Sequence, residues 1–305
     1  MLQDHTRNGS FKATIFRSVA KGDVVVDLGT GTGILAIWAA QAGARRVYAI
    51  EETDVADVAE AVIRDNGLQE VITVLKANSS EVTLPEPADI LIAELVGHFL
   101  FEEGIVEAIA TARDVLLKPG GRIIPQGAKV FLAPVELAEH FDEISFWETW
   151  QNPRLDVIRN RAANTAYVER VTEESLLAEP AQLFNVDFRR IGVGLLEAIA
   201  SFYFYRNGRV GALAGWFELD LGNDVTLSTD PWSEPTHWQQ CVFPLENPHD
   251  ISQGERLDLT FSMEPFSAGC KWYWKTRSGS ALHHAEEHAL CITYGEGSRL
   301  LGERF

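Results

Sequence analysis

Residues 23–33 read DVVVDLGTGTG, and the fold turns on how this stretch is read. Residues 23–28 (DVVVDL) form a short apolar run with a glycine on each side, Gly22 and Gly29. That is the pattern of a strand buried on both faces. It runs into Gly29, Gly31 and Gly33, after which Ile34, Ile37 and Trp38 recur at helical spacing over residues 33–42. Glycines at such a turn permit a tight reversal and let a ligand approach the backbone, where a helix N-terminus offers free N–H groups. The pattern repeats outward. RVYAI (46–50), EVITVLK (70–76), ADILIA (88–93) and GRII (121–124) read as further strands. Helices are predicted over 54–65 and where Ile105, Ile109, Ala112 and Leu116 share one face. Short apolar strands alternating with amphipathic helices predict a parallel sheet with helices on both sides.

After Pro125 the pattern changes. KVFLAPV, ASFYFY, GALAGWFELDL, CVFPL, RLDLTFSM, KWYWKT and ALCITY are β-rich stretches separated by Gly, Pro, Asn and Asp. They predict an antiparallel sandwich or barrel. Residues 141–165 read instead as two short helices broken near Asn152-Pro153. The expected architecture is α/β plus all-β. A Rossmann-like domain covers residues 1–125, and an antiparallel β-barrel domain covers 126–305, with a helical excursion at 141–165.

Composition narrows the function. At 46% hydrophobic and 23% charged residues the chain is ordinary globular protein. Its 26 basic and 44 acidic residues leave a net charge of −18, which repels phosphate backbones and favours cationic partners. Nucleic-acid binding is therefore not expected. Cys241, Cys270 and Cys291 form no CxxC pair, which speaks against a disulfide framework or structural zinc and suits a reducing cytoplasm. The first residues lack a signal-peptide core and no run approaches the ~18 apolar residues of a membrane span, so a cytoplasmic protein is expected. His283, His284 and His288 with Glu286 and Glu287 read as a solvated loop, and no metal is predicted.

A dinucleotide fingerprint, GxGxxG, would need glycine at position 34, which is Ile34. The spacing here is GxGxG, preceded by Asp27, and the next strand ends in Glu51, placed to accept hydrogen bonds from two ribose hydroxyls. That description fits S-adenosylmethionine, a cofactor without a pyrophosphate.

Five segments carry a family resemblance: MLQDHTRNGSF at the start, VVDLGTGTGILAIWAAQAGARRVYAIE, DNGLQEVITVLKANSSEVTLPEPADILIAE, ELVGHFLFEE and THWQQCVFPL. Together they resemble the protein arginine methyltransferase family, whose "double-E" loop (SEWMGYxLxxE) and THW loop match the last two. The resemblance implies that Glu94 and Glu103 are the paired carboxylates that bind and activate the substrate, with Glu102 a rival to Glu103. The chemistry agrees. A guanidinium is a cationic, planar, poor nucleophile, and two carboxylates across it form charge-assisted bidentate hydrogen bonds that orient one nitrogen. By the same resemblance His237 helps take up the released proton, Trp238 packs beside the substrate, and Arg7 meets the cofactor's carboxylate. Ser80 stands where the family has a glutamate at the adenine.

The chain also departs from the family. Leu95, Val96 and His98 replace Trp, Met and Tyr of the double-E loop, and the Met position influences the product formed. The family has an N-terminal helix that folds over the cofactor, and an aspartate that pairs with the THW histidine. This chain begins at the family's "ML" without that helix, so the lid is absent, replaced or truncated. The family's helical arm, which docks on a second subunit, corresponds to residues 141–165. Phe146, Trp147, Trp150, Leu155 and Ile158 there would form an apolar contact surface in a two-fold homodimer. Three functions remain open at this stage: methylation of arginine in a protein or peptide, methylation of free arginine or another guanidino small molecule, and a cofactor-binding scaffold without turnover.

Overall fold

A computed structural model describes residues 1–137, 146, 155–266 and 269–278. The chain opens with α1 (His5–Ser18), which buries Arg7, Phe11, Thr14, Ile15 and Ser18 at helical spacing. Asp4 caps it by accepting the Arg7 amide at 2.8 Å. There follow β1 (Val24–Leu28), α2 (Ile34–Ala42), β2 (Arg46–Glu51), α3 (Val55–Asp65), β3 (Ile72–Lys76), β4 (Ala88–Ala93), α4 (Ile105–Leu116) and β5 (Leu117–Ile124). The five strands form one parallel sheet in the order β3-β2-β1-β4-β5. Every residue of β1 is buried, as its unbroken apolar run requires.

The strand order reverses between β1 and β4, where Leu28 pairs with Ala93. The next residues along these strands are Gly29 and Glu94. The glycine loop and the first carboxylate therefore leave the sheet side by side, at the point where open α/β sheets bind ligands.

From Gly127 the chain is antiparallel. The elements are β6 (Gly127–Val135), α5 (Asp156–Ala163), β7 (Tyr167–Glu169), β8 (Ala181–Asp187), β9 (Leu196–Tyr203), β10 (Gly208–Gly222), β11 (Val225–Ser228), β12 (Gln240–Ile251), β13 (Arg256–Phe266) and β14 (Gly269–Ser278). One sheet runs β7-β12-β10-β6-β8 with β11 on β10, and the other runs β14-β13-β9. A bridge between Ala178 and Phe204 connects them. Phe243 of β12 meets Phe261 of β13 edge-on at 5.2 Å between ring centroids, and Trp274 of β14 at 5.3 Å. The two sheets thus share an aromatic core.

Phe99, from the loop after β4, enters this core. Its ring lies 5.2 Å from Phe243 and 5.0 Å from Trp272, and it is fully buried. Residue 215 on β10 must be glycine for this, because a Cβ there would stand 2.3 Å from the Phe99 ring. The parallel half is thereby pegged into the antiparallel half through the loop that carries Glu94 and Glu103.

Within the predicted arm, α5 is helical, Val157 is 81% exposed, and Phe146 and Ile158 are exposed. Trp147 and Trp150 lie outside the described residues, as do the stretch ALCITY, Cys291 and the histidines at 283, 284 and 288. Among the described residues no helix is long and apolar enough to cross a membrane, and no group of three or more metal-ligating side chains gathers.

Candidate active site

The glycine loop is held from below. Asp27 is fully buried and accepts hydrogen bonds from the Thr30 hydroxyl at 2.5 Å and the Ala36 amide at 3.0 Å. Through Oδ2 it therefore fixes the loop against α2. Burial raises its carboxyl to about 6, against the pull of those hydrogen bonds.

Gly29, Gly31 and Gly33 all adopt positive φ. At Gly29 a Cβ would meet Leu95 at 2.4 Å, and at Gly33 it would touch Ile63 of α3. At Gly31 it would meet nothing within 4 Å. Of the three, Gly31 alone presents its backbone to open space, as a ligand cradle requires. Glu51, at the end of β2, accepts the Gly31 amide at 3.0 Å through Oε2, while Oε1 accepts the Thr53 amide and hydroxyl. A carboxylate has about four acceptor positions, so Glu51, with three taken, keeps room for a further hydroxyl donor. Ser80 is exposed, and its hydroxyl donates to Asn78 Oδ1 at 2.7 Å, leaving only its lone pairs for a ligand.

Arg7 reaches from α1 to Glu94, and the pair is buried. The resemblance assigned Arg7 to the cofactor; in the structure it faces the first carboxylate of the double-E loop. The pairing is incomplete: Arg7 Nε, Glu94 Oε1 and Asp27 Oδ1 are all buried without a hydrogen-bond partner. Such orphaned atoms clustered beside the glycine cradle suit a polar, partly charged ligand. The site therefore fits S-adenosylmethionine, with its ribose hydroxyls and charged amino-acid end. Glu51, the Gly31 backbone and Arg7 are the groups placed to hold it.

Desolvation pushes the Glu94 carboxyl up to about 7, outweighing the pull of Arg7. Glu103 is exposed, yet protein crowds it enough that desolvation, and then the charges of Glu94 and Glu102, raise it to about 8. Glu102 differs. It is fully enclosed, its two oxygens take the Phe99 amide at 2.9 and 3.1 Å, and burial lifts it to about 7. Gly97 lies against it, with a Cβ position 2.3 Å from Glu102 Oε2. Glu102 thus closes the hairpin, whereas Glu103 makes no described hydrogen bond and lies within the field of Glu94 and Arg7.

His237 comes from the antiparallel half. Its Nδ1 is 2.8 Å from Asp4 Oδ2, and its amide donates to the same oxygen at 2.9 Å. A carboxylate oxygen accepts, so Nδ1 carries the proton and Nε2 is left with a lone pair. Burial pushes the imidazole below its usual pKa, although Asp4 pulls the other way. The sequence reading names a family aspartate that pairs with the THW histidine but assigns it no residue in this chain; here Asp4 of MLQD, three residues before Arg7, is the partner. Trp238 corrects the sequence expectation. It is 1% exposed and its indole donates to the Val96 carbonyl at 2.7 Å, so it packs between the halves and not beside a substrate.

A nucleotide-like cradle at the switch point, with a paired-carboxylate loop beside it, defines a class I methyltransferase. Comparisons agree. Residues 8–128 match the family model "Ribosomal protein L11 methyltransferase (PrmA)", and residues 126–272 match "Arginine methyltransferase oligomerization subdomain". Protein arginine N-methyltransferase 1.1 of Arabidopsis thaliana is 33% identical over 274 residues, covering 87% of this chain and 70% of that protein. Among solved structures, the Trypanosoma brucei PRMT1 enzyme–prozyme heterotetrameric complex with AdoHcy superposes with a TM-score of 0.85 at 28% identity, covering 94% of this chain and 95% of that one. Arabidopsis thaliana protein arginine methyltransferase 10, in an open conformation, gives 0.80 at 27% identity, covering 94% of each chain. The chain belongs to the protein arginine N-methyltransferase family.

Glu51→Ala is expected to weaken S-adenosylmethionine binding by about 1–3 kcal/mol, the cost of hydrogen bonds to a charged acceptor. Calorimetric titration measures it, and unchanged affinity removes Glu51 from the cofactor site.

Proposed function

We propose that this protein transfers the methyl group of S-adenosylmethionine to a terminal guanidinium nitrogen of arginine in a protein or peptide. The observation that carries this reading is the pair Glu94 and Glu103, two raised carboxyls at the ends of one loop beside the cofactor cradle. S-adenosylmethionine supplies an electrophilic methyl group when bound. Glu94 and Glu103 accept N–H donors from the guanidinium, and their charges concentrate electron density on the nitrogen they orient. Arrival of the cation favours the ionised form of both groups, lowering pKa values that the substrate-free site holds high. Proton removal falls to His237 Nε2, with Asp4 keeping the ring in the Nδ1–H tautomer.

On this reading residues 1–125 form the cofactor half and 126–305 the half that presents His237. The net charge of −18 supports a cationic substrate and gives none to nucleic acid. The buried free thiol of Cys241 supports a cytoplasmic location. The match to an oligomerization subdomain, together with exposed Val157 and Ile158 on α5, supports a two-fold homodimer formed through the arm.

Glu94→Gln and Glu103→Gln are each expected to reduce methyl transfer to an arginine-glycine-rich peptide by ~100-fold or more, because an amide keeps the shape but loses the charge that the transition state needs. Affinity for S-adenosylmethionine should change little in Glu103→Gln. Mass spectrometry of the peptide reads the outcome, and near-normal methylation in both variants refutes the carboxylate clamp. For assembly, Val157→Asp with Ile158→Asp is expected to turn a dimer into a monomer by light scattering. An unsubstituted protein that is monomeric at micromolar concentration overturns the dimer.

A further inference from the structure

The loop between the two carboxylates makes a reciprocal contact with the His237 loop. Trp238 Nε1 donates to the Val96 carbonyl at 2.7 Å, and His98 Nδ1 lies 2.6 Å from the Trp238 carbonyl. A carbonyl only accepts, so His98 Nδ1 is the donor. Trp238 thus gives one hydrogen bond and receives another across the junction of the two sheets. His98 sits in a tight hairpin, closed by paired bonds between Gly97 and Leu100. On its two flanks Phe99 is pegged against Gly215 and Val96 is fixed by the indole. Three anchors therefore hold the loop, and His98 is the one whose side chain grips the residue directly after His237. The rings of His237 and Trp238 are 4.1 Å apart at their centroids, so displacing Trp238 displaces His237.

We propose that His98 is a positioning residue: its hydrogen bond to the Trp238 carbonyl sets His237 in register with Glu94 and Glu103. The proposal rests on the methyl-transfer reading above. It follows from geometry. Glu94 and Glu103 belong to the parallel half, His237 belongs to the antiparallel half, and Asp4 fixes the His237 ring but does not touch the carboxylate loop in any described contact. The His98–Trp238–Val96 exchange joins these two loops directly. A misplacement of about 1 Å between reacting groups can cost on the order of 100-fold in rate. Where the family pattern has tyrosine, His98 is a shorter, planar donor, so the spacing it sets belongs to this chain.

The test compares His98→Phe, which keeps a planar ring without a donor, with His98→Asn. The Asn side-chain nitrogen is three bonds from Cα, as Nδ1 of histidine is, and can donate to the same carbonyl. Methyl transfer to an arginine-glycine-rich peptide should show kcat on the order of tenfold lower in His98→Phe with the KM for S-adenosylmethionine within about twofold, and recovery to within about threefold in His98→Asn. Hydrogen exchange followed by mass spectrometry over residues 234–240 should quicken about tenfold in His98→Phe and stay near normal in His98→Asn. Equal kcat and equal exchange in His98→Phe overturn the proposal, and so does failure of His98→Asn to restore either. A loss confined to thermal stability, with kcat retained, also overturns it. If the unsubstituted protein methylates no arginine, the reading of function falls, and the exchange experiment alone decides the role of His98.

Discussion

Negative charge without enough positive charge to match it is the constraint on which this site depends. Asp27, Glu94 and Glu103 all feel the charge of Arg7, Glu94 feels Asp27, and Glu103 feels Glu94 and Glu102. Two of the four are answered locally: Asp27 by Thr30 and Ala36, and Glu102 by the Phe99 amide. Glu94 is half answered by Arg7 and keeps one oxygen buried without a partner. Glu103 has no hydrogen-bond partner among the described contacts, and its carboxyl is the highest of the four. Burying an unpaired carboxylate is costly, so such a group stays protonated or waits for a cation. A planar guanidinium answers both glutamates at once.

Holding such a site open requires the two halves to be locked together. The chain does this with shape as much as with polarity. Phe99 occupies the volume that Gly215 leaves free, Glu102 occupies the volume that Gly97 leaves free, and Leu95 lies on Gly29 of the cofactor loop. The carboxylate loop thereby touches the glycine loop, the barrel core and the His237 loop within ten residues. The two carboxylates Glu94 and Glu103 thus sit at the ends of a loop held on three sides.

Most of this was legible in the sequence where period and punctuation are strong. The DVVVDLGTGTG stretch specifies strand, turn and helix because its apolar run is unbroken and each glycine sits at positive φ. Glu94 and Glu103 were named from the resemblance of ELVGHFLFEE to the double-E loop, since two glutamates nine residues apart carry no signal by themselves. α1 was not read, because it buries Arg7, Thr14 and Ser18 alongside only two large apolar residues and so lacks a clean stripe. β7, β8 and β11 were missed as well. The first and last are three and four residues long, and β8 interrupts its apolar residues with Gln182, Asn185 and Asp187. The partners Arg7–Glu94 and Asp4–His237 are 87 and 233 residues apart in sequence, a separation that no local pattern records. Trp238 was misread for the same reason: nothing in THW says that the indole faces Val96.

The central claim is that the free site stores a proton which an arriving guanidinium expels. Calorimetric titration of an arginine-glycine-rich peptide into the protein, with S-adenosylhomocysteine present to prevent turnover, measures this in two buffers of different ionisation enthalpy at pH 7. The account predicts release of about one proton per peptide bound, drawn from carboxyls near 7 and 8 that ionise against the cation. Binding with no proton released, or with protons taken up, would contradict it.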